Sequence, residues 1–377
     1  DDNVKAKART LGAIPALVEL VNNEIPEIHR AACGALRNLS YGKQNDQCKK
    51  DIRNAGGIPA LVRLLRKSPD NDVRELVTGI LWNLSSCADL KRPIIDDGLT
   101  VIVNSVLIPH SGWDRNLAED KMQSQQIYWS TVFRNASGIL RNVSSDGEYA
   151  RKKLRECEGL VDAILHIVRA AIGKNDIDNK SVENCTCVLR NLSYACQEVQ
   201  DPEYLHRRQI SRQQNSKEET TGCFGGNKKK KDAQKVDQRG RSDSGYQSGR
   251  TFDFSRMRSE PPKGMELLWQ PEVVHVYQPL LSQCSNPETL EAAAGAIQNL
   301  VACDWPPSVD IRATVRKERG LPIIVELLTV EADRVVCAAA TALRNLALDP
   351  RNKELIGKYG MRQLVQKLPA DNRIPNM

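Results

Sequence analysis

An asparagine side chain offers both a hydrogen-bond donor and an acceptor, so a row of them can bracket the N–H and C=O groups of an extended peptide. Six asparagines recur in one phrase along this 377-residue chain. They stand in GALRNLSYGK (34–43), GILWNLSS (79–86), GILRNVSS (138–145), VLRNLSY (188–194), AIQNLV (296–301) and ALRNLAL (342–348). The first four, Asn38, Asn83, Asn142 and Asn191, follow Arg37, Trp82, Arg141 and Arg190, and Tyr41 lies three residues beyond the first. The chemistry implied is non-covalent: amide rungs, with cations and aromatic rings beside them as binding anchors.

Covalent chemistry has no comparable signature. The five histidines, His29, His110, His166, His206 and His275, are scattered, and there is no G-x-S-x-G, HExxH or phosphate loop. Gly225-Gly226 before the lysines lacks the strand and the GK[ST] ending that a phosphate loop requires. Eleven cysteines occur singly apart from Cys185 and Cys187, the mark of reduced thiols rather than a disulfide frame or zinc site. No catalytic residue, metal or cofactor is expected. Four copies of the phrase read N-x-S, the glycosylation acceptor pattern, which in a cytosolic helix is set aside as coincidence.

Steps between the asparagines are 45, 59, 49, 108 and 46 residues. A unit of about 45 fits three of them; 59 is a unit with a short insertion, and 108 a unit with a long insertion or a degenerate unit. A second phrase precedes the first: GAIPALVELV (12–21), GGIPALVRLL (56–65), DGLTVIVNSV (97–106), EGLVDAILHI (158–167) and RGLPIIVELL (319–328). Each unit therefore predicts a helix starting near G-x-P and a second helix ending in L-R-N-L, with a turn and short helix from stretches such as YGKQNDQCKKDIRNAG. Repeats of this length stack as a helical solenoid, each burying its apolar side only against its neighbours.

Helical residues advance by about 100° each. With Leu36 facing the core, Ala32, Ala35 and Leu39 join it, while Gly34, Arg37, Asn38 and Tyr41 lie opposite. Gly79, Trp82, Asn83 and Ser86 repeat that side, as do Gly138, Arg141, Asn142 and Ser145, then Cys187, Arg190, Asn191 and Tyr194. A mid-helix glycine costs roughly 1 kcal/mol against alanine, so its recurrence predicts that space is needed there. Stacking aligns these sides into one groove. The late units, with Gln298 and Thr341, predict a poorer site or a cap.

The net charge of +7 is unevenly spread. Residues 1–67 hold twelve Lys/Arg against seven Asp/Glu, and residues 198–264 hold fifteen against ten. An acidic partner is the functional reading. Residues 198–264, with KKKK at Lys228, Lys229, Lys230 and Lys231, are rich in glycine, serine and charge, which predicts a disordered insertion between repeats 1–197 and 265–377. The basic run reads as a solvated cluster, an import signal or an acidic-surface contact, and RSDSGYQSGR carries candidate phosphorylation serines. Trp113 and Trp129 flank a shorter insertion, 109–126, and are expected to pack it onto the stack, a direct ligand role being the alternative; Trp269 and Trp305 read as core or cap residues of the second half. No secretory signal or membrane span is visible, and the opening DDNVKAKART without an initiator Met reads as a fragment.

These phrases, with IPHSGW (108–113), ARKKLRECEGLVDAI (150–164), ELLWQPEVV (266–274) and ALRNLALDPRNKELIGK (342–358), resemble the armadillo repeats of the delta-catenin subfamily and its plakophilin relatives. The likeness spans nearly everything outside about 198–262. It implies an all-α, armadillo-repeat, right-handed superhelical solenoid with a long disordered insertion. It also implies a monomeric cytoplasmic scaffold at cell–cell junctions that holds the acidic, glycine-bearing juxtamembrane segment of a cadherin tail and hides it from endocytic machinery. Carried over by position, groove lysines are Lys5 and Lys49, with Lys50 as the alternative because the loop is one residue longer; the groove Trp–Asn pair is Trp82 and Asn83. Arg37 stands where a relative has lysine, keeping charge but changing geometry. The family further points to nuclear entry and small-GTPase regulation through the insertion. The alternatives are a plakophilin-like desmosomal scaffold, a nuclear-import adaptor, which needs acidic walls and repeated Trp rungs, and direct nucleic-acid binding, for which no stacking aromatics accompany the basic insert.

Overall fold

The computed structural model describes residues 2–113, 130–200 and 261–367, and all regular structure among them is helical. Of the expected disordered insertion, 198–264, residues 201–260 with Lys228 to Lys231 lie outside the described residues, as does Trp129; 198–200 are helical. The chain divides into two compact units, 1–194 with 262–377, and 195–261. Of the second, the described secondary structure is one short helix, Cys196–Gln200.

The first unit is a stack of helical repeats. Its first three helices are α1 (Asp2–Thr10), α2 (Ala13–Val21) and α3 (Pro26–Ser40). The pattern returns as α4 (Asp46–Asn54), α5 (Gly57–Lys67) and α6 (Asn71–Ser85). After α7 (Ala88–Ile102), α8 (Ile108–Ser111) and α9 (Thr131–Ser144) come α10 (Glu148–Glu156), α11 (Leu160–Gly173) and α12 (Lys180–Leu192). With α13 the Cys196–Gln200 helix, the stack resumes as α14 (Val274–Gln283) and α15 (Pro287–Leu300). Then follow α16 (Pro306–Lys317), α17 (Gly320–Glu326) and α18 (Asp333–Leu346), closed by α19 (Pro350–Tyr359) and α20 (Met361–Gln366).

The corner between first and second helices explains the glycine of the G-x-P phrase. Gly12, Gly56 and Gly159 sit there at φ +73°, +77° and +79°, a left-handed conformation that costs a residue with Cβ about 1–2 kcal/mol. Arg319 takes the same place at φ +58°. Asp97 matches Gly12 and Gly56 in position, and here the structure departs from the expected helix start. No residue turns left-handed, so α7 runs straight through the phrase and continues as a π-helical turn, Val103–Leu107.

The third helices, α3, α6, α9, α12, α15 and α18, lie side by side. Leu36, Leu81, Ile139, Leu189, Ile297 and Leu343 are buried along them. Carbonyls at or just past their C-terminal ends, which helix geometry leaves without partners, are met by side chains from first helices of the stack. Arg155 donates to Leu192 O at 2.9 and 2.6 Å, Arg312 to Val301 O and Cys303 O at 2.9 and 2.6 Å, and Asn352 to Leu346 O at 3.2 Å. Trp269 and Trp305 are buried edge to face, centroids 5.6 Å apart. Trp113 packs over Gly159, where a Cβ would meet its ring at 2.8 Å. All described cysteines are free thiols; burial pushes Cys33 up to about 12 and Cys187 to about 11.

α12 and α15 are sequence-distant yet pack as neighbouring repeats, so the 108-residue step is one unit plus an insertion. That unit has no regular first helix; 3₁₀ turns at Gly264–Trp269 and Pro271–Val273 stand in for it. Two carboxylates clasp the join. Asp178 accepts from Ser285 N at 2.8 Å, Ser285 Oγ at 3.0 Å, Asn286 N at 3.2 Å and Cys284 Sγ at 2.9 Å. Buried Glu183 accepts from Lys180 at 2.6 Å, Asn286 at 3.0 Å and Arg141. Cys284, then the Ser285 and Asn286 groups, hold the Asp178 carboxyl below its ordinary range. Burial pushes Glu183 up, but Lys180, Asn286 and Arg141 together outweigh it and the carboxyl lies low.

Both groups therefore stabilise the fold above the unfolded carboxylate range, about pH 4, and lose that contribution as pH falls through their lowered folded values. Glu183→Gln is expected to cost about 1–3 kcal/mol at pH 7. It should also flatten the fall in melting temperature between pH 6 and pH 3, measured by thermal circular dichroism. An unchanged acid slope would refute the clasp.

Candidate peptide-binding face

The asparagine row is built by contacts between repeats. Asn83 Nδ2 donates to Ser40 Oγ at 3.1 Å and Arg37 O at 3.3 Å. Asn142 Nδ2 donates to Ser85 Oγ at 2.9 Å, Asn191 Nδ2 to Ser144 Oγ at 2.9 Å, and Asn299 Nδ2 to Ser193 Oγ at 3.2 Å. Each serine has already given its own hydrogen to the carbonyl three residues back: Ser40 to Arg37 O, Ser85 to Trp82 O, Ser144 to Arg141 O and Ser193 to Arg190 O, at 2.7–3.0 Å. The serine can only accept, so the amide must present its nitrogen. This fixes the amide and leaves Oδ1 without a donor among the described residues; Asn83 and Asn299 also spend Nδ2 on Arg37 O and Arg190 O, at 3.3 and 3.0 Å, whereas Asn142 and Asn191 keep one N–H. Asn38, at the head of the row, is exposed. The N-x-S recurrence set aside above is thus the clamp itself, with serine two residues after each asparagine. Where Val301 replaces the serine, Asn345 falls back on Gln298 O at 3.0 Å and is itself buried.

A second, fully buried row went unread in the sequence. Asn135 Nδ2 donates to Thr78 Oγ1 at 3.2 Å and Asn184 Nδ2 to Ser137 Oγ at 3.2 Å. Its signal was present: Asn135 and Asn184 each lie seven residues before Asn142 and Asn191.

The recurring glycine seats a side chain of the preceding repeat. A Cβ on Gly79 would come 3.1 Å from Arg37 Nε, on Gly138 2.6 Å from the Trp82 ring, and on Gly295 2.7 Å from Arg190 Nε. Lying over that seat, the arginines reach a carboxylate of the next repeat. Arg37 pairs with Glu75 at 3.9 Å, Arg190 with Glu291 at 2.8 Å, and Arg141 with Glu183 and, at 3.6 Å, Glu288. Arg37, Arg141 and Arg190, expected beside the amide rungs, are thus each paired with a carboxylate, and this edge of the face is self-neutralised.

The other edge carries cations from the first helices. Four side chains from first helices meet the residue three beyond a ladder asparagine. Lys5 donates to Tyr41 O at 2.7 Å and lies 5.8 Å from the Tyr41 ring centroid. Lys49 donates to Ser86 Oγ at 2.9 Å, Lys91 to Ser145 Oγ at 3.0 Å, and the Arg151 guanidinium lies 4.9 Å from the Tyr194 centroid. Lys49 needs correction as a ligand cation: it is 1% exposed, with its ammonium shared between Ser86 and Asp46. Lys50 turns instead to Asp89 at 2.6 Å, so it does not take that place. Lys91 and Arg151 were missed, although each lies seven or eight residues before the glycine of the second phrase, as Lys5 and Lys49 do.

Two clefts open between the edges, of about 310 and 440 Å³. The first is lined by Lys91, Arg141, Asn142, Ser145, Arg190 and Asn191, and the second adds Arg151, Tyr194 and Asn299. A cavity of about 450 Å³ at the α2–α3 and α5–α6 turns, lined by Asn22, Arg63 and Asp70 among others, involves none of these rows.

Stacked three-helix units joined by such contacts define an armadillo-repeat protein, and the Armadillo/beta-catenin-like repeat family matches residues 1–41, 45–86 and 308–348. The chain is 53% identical to human Catenin delta-2 over 382 residues, covering 100% of this chain and 30% of that protein. It is 52% identical to human Splicing regulator ARVCF (98% and 38%) and 42% identical to the Juxtamembrane domain-associated catenin of Caenorhabditis elegans (98% and 28%). It belongs to the delta-catenin subfamily, and spans about a third of the length of these relatives.

Gly138→Ala is expected to push the Trp82 ring off its seat and cost about 1–3 kcal/mol. Ser144→Ala should cost about 1–2 kcal/mol by leaving Asn191 without its acceptor. Urea unfolding with tryptophan fluorescence reads both, and a native-like Trp82 signal in the glycine variant would contradict the seat.

Proposed function

We propose that this chain is a non-enzymatic adhesion scaffold whose asparagine-lined face holds an extended, carboxylate-rich peptide, the juxtamembrane segment of a cadherin tail. One observation carries the reading: the clamped amides keep an unmet acceptor at each repeat, and at Asn142 and Asn191 an unmet donor as well, beside a row of first-helix cations. Such rungs satisfy a strand's backbone groups, while cations placed beside them select acidic side chains. Among the described residues, neither Lys91 nor Arg151 has a carboxylate partner, and no carboxylate lines the two clefts between the edges. The Caenorhabditis elegans relative's name, a catenin associated with a juxtamembrane domain, supports the same ligand class.

On this reading the peptide lies along Asn38 to Asn191, with Lys5, Lys91 and Arg151 as its cations and Trp82 and Tyr41 as apolar contacts. Occupancy masks endocytic signals in the tail and places the protein, as a monomer, at the inner face of cell–cell junctions. The insertion remains the candidate contact for small GTPases, their regulators or import factors. A plakophilin-like desmosomal role uses the same face with a different tail. An import-adaptor role fits less well, since lysine-rich cargo needs carboxylates in the clefts.

Isothermal titration with an acidic cadherin juxtamembrane peptide and with a lysine-rich import peptide separates these readings. The acidic peptide should bind, with affinity falling as salt rises. Lys5→Glu and Trp82→Ala should each weaken it by about ten-fold. Tighter binding of the lysine-rich peptide would reverse the assignment.

A further inference from the structure

The two clefts hold more positive charge and more donors than a carboxylate can use. They adjoin, sharing Ser145, Arg190 and Asn191. Lys91 enters the first and Arg151 the second. Arg141 and Arg190 also line them, but their charge is met by Glu183, Glu288 and Glu291, none of which lines either cleft. Lys91 and Arg151 have no such compensation among the described residues. The Lys91 ammonium spends one of its three donors on Ser145 Oγ, and Ser145 gives its own hydrogen to Asn142 O at 2.7 Å. The Arg151 guanidinium lies over the half-exposed Tyr194 ring, 4.9 Å from its centroid, and spends no N–H on a carboxylate among the described residues. Asn142 and Asn191 each keep one N–H. The place therefore offers two uncompensated positive charges and a ring of donors at the third and fourth ladder asparagines.

We propose that these adjoining clefts form a subsite for a phosphorylated side chain on the peptide held by the asparagine row, read by Lys91, Arg151 and the free N–H groups of Asn142 and Asn191. The inference rests on the peptide-binding reading given above and deepens it. A phosphomonoester carries close to two negative charges and three acceptor oxygens, matching both cations at once. A glutamate carries one charge and two oxygens and leaves one cation unmet. The site lies on the strand's own track, beside two of its rungs, so the phosphate is one that a bound strand carries. Phosphorylation at that one position then strengthens capture rather than opposing it.

The test is a walk of a single phosphoserine along the acidic juxtamembrane peptide, each position compared by titration with glutamate at the same place. One position, or two neighbours, should bind about ten-fold tighter as phosphoserine than as glutamate at pH 7.5. The advantage should shrink at pH 5.5, where the phosphate loses its second charge while the glutamate keeps its own. Lys91→Gln with Arg151→Gln should abolish the advantage yet weaken the unphosphorylated peptide only a few-fold. A folded control for that double variant is an unchanged melting temperature. If the unphosphorylated peptide binds but no position prefers phosphate, or the preference survives the double variant, the subsite is overturned and the peptide reading stands. If neither form binds, both fall. Anionic vesicles that bind through Lys91 and Arg151, with no phosphopeptide preference, would also overturn it.

Discussion

A single hydrogen bond, asparagine Nδ2 to the serine hydroxyl of the preceding repeat, fixes both the stacking and the binding face. Without it, the amide would be a free rotor on a helix surface, and each rung would lose side-chain entropy on binding. With it, the amide nitrogen is committed at 2.9–3.2 Å and the serine hydrogen is spent on its own helix, so the amide groups that remain have one orientation. On the proposed reading the same contact serves stability and recognition. It explains why the phrase is N-x-S and not asparagine alone.

The charges on this face follow a related logic. A long cation in one repeat lies over the glycine of the next and ends at a carboxylate four residues before it: Arg37 over Gly79 to Glu75, and Arg190 over Gly295 to Glu291. Partly exposed pairs of this kind contribute only modestly to stability. Their larger effect is to cancel charge along one edge, leaving uncompensated cations on the other. A groove that is basic by composition is thereby basic on one side only, which would give a strand bound as proposed a preferred facing.

Much of the fold was legible in the sequence because repeats write the same physics several times. The 45-residue spacing, the core side marked by Leu36 and Ala32, and the second-helix phrase all appear in the structure. The fused α7 was not, since only the absence of a left-handed residue at Asp97-Gly98 signals it. The outward side of Arg37, Trp82 and the asparagines was legible from helical phase. Their partners were not, because Glu75, Glu183 and Glu291 come from the next repeat, and phase within one helix says nothing of register between two. Lys49 shows the limit of reading by position: a lysine carried over as a ligand cation is buried between Asp46 and Ser86, while Lys91, one repeat on, meets Ser145 from an exposed edge.

Trp82 brings these strands together. In the other early repeats its place is taken by Arg37, Arg141 and Arg190, each answered by a glutamate at the register where the next repeat, in this one case, has Arg134. A cation at position 82 would run toward another cation. An indole avoids that repulsion and fills the space over Gly138, where even a methyl group would collide with it. The tryptophan that reads in the sequence as a ligand anchor is therefore first a solution to a charge problem between repeats. Its half-exposed ring beside Asn83 is the surface left over from that solution. Recognition at this point, on the proposed reading, uses a side chain whose identity the stacking had already determined.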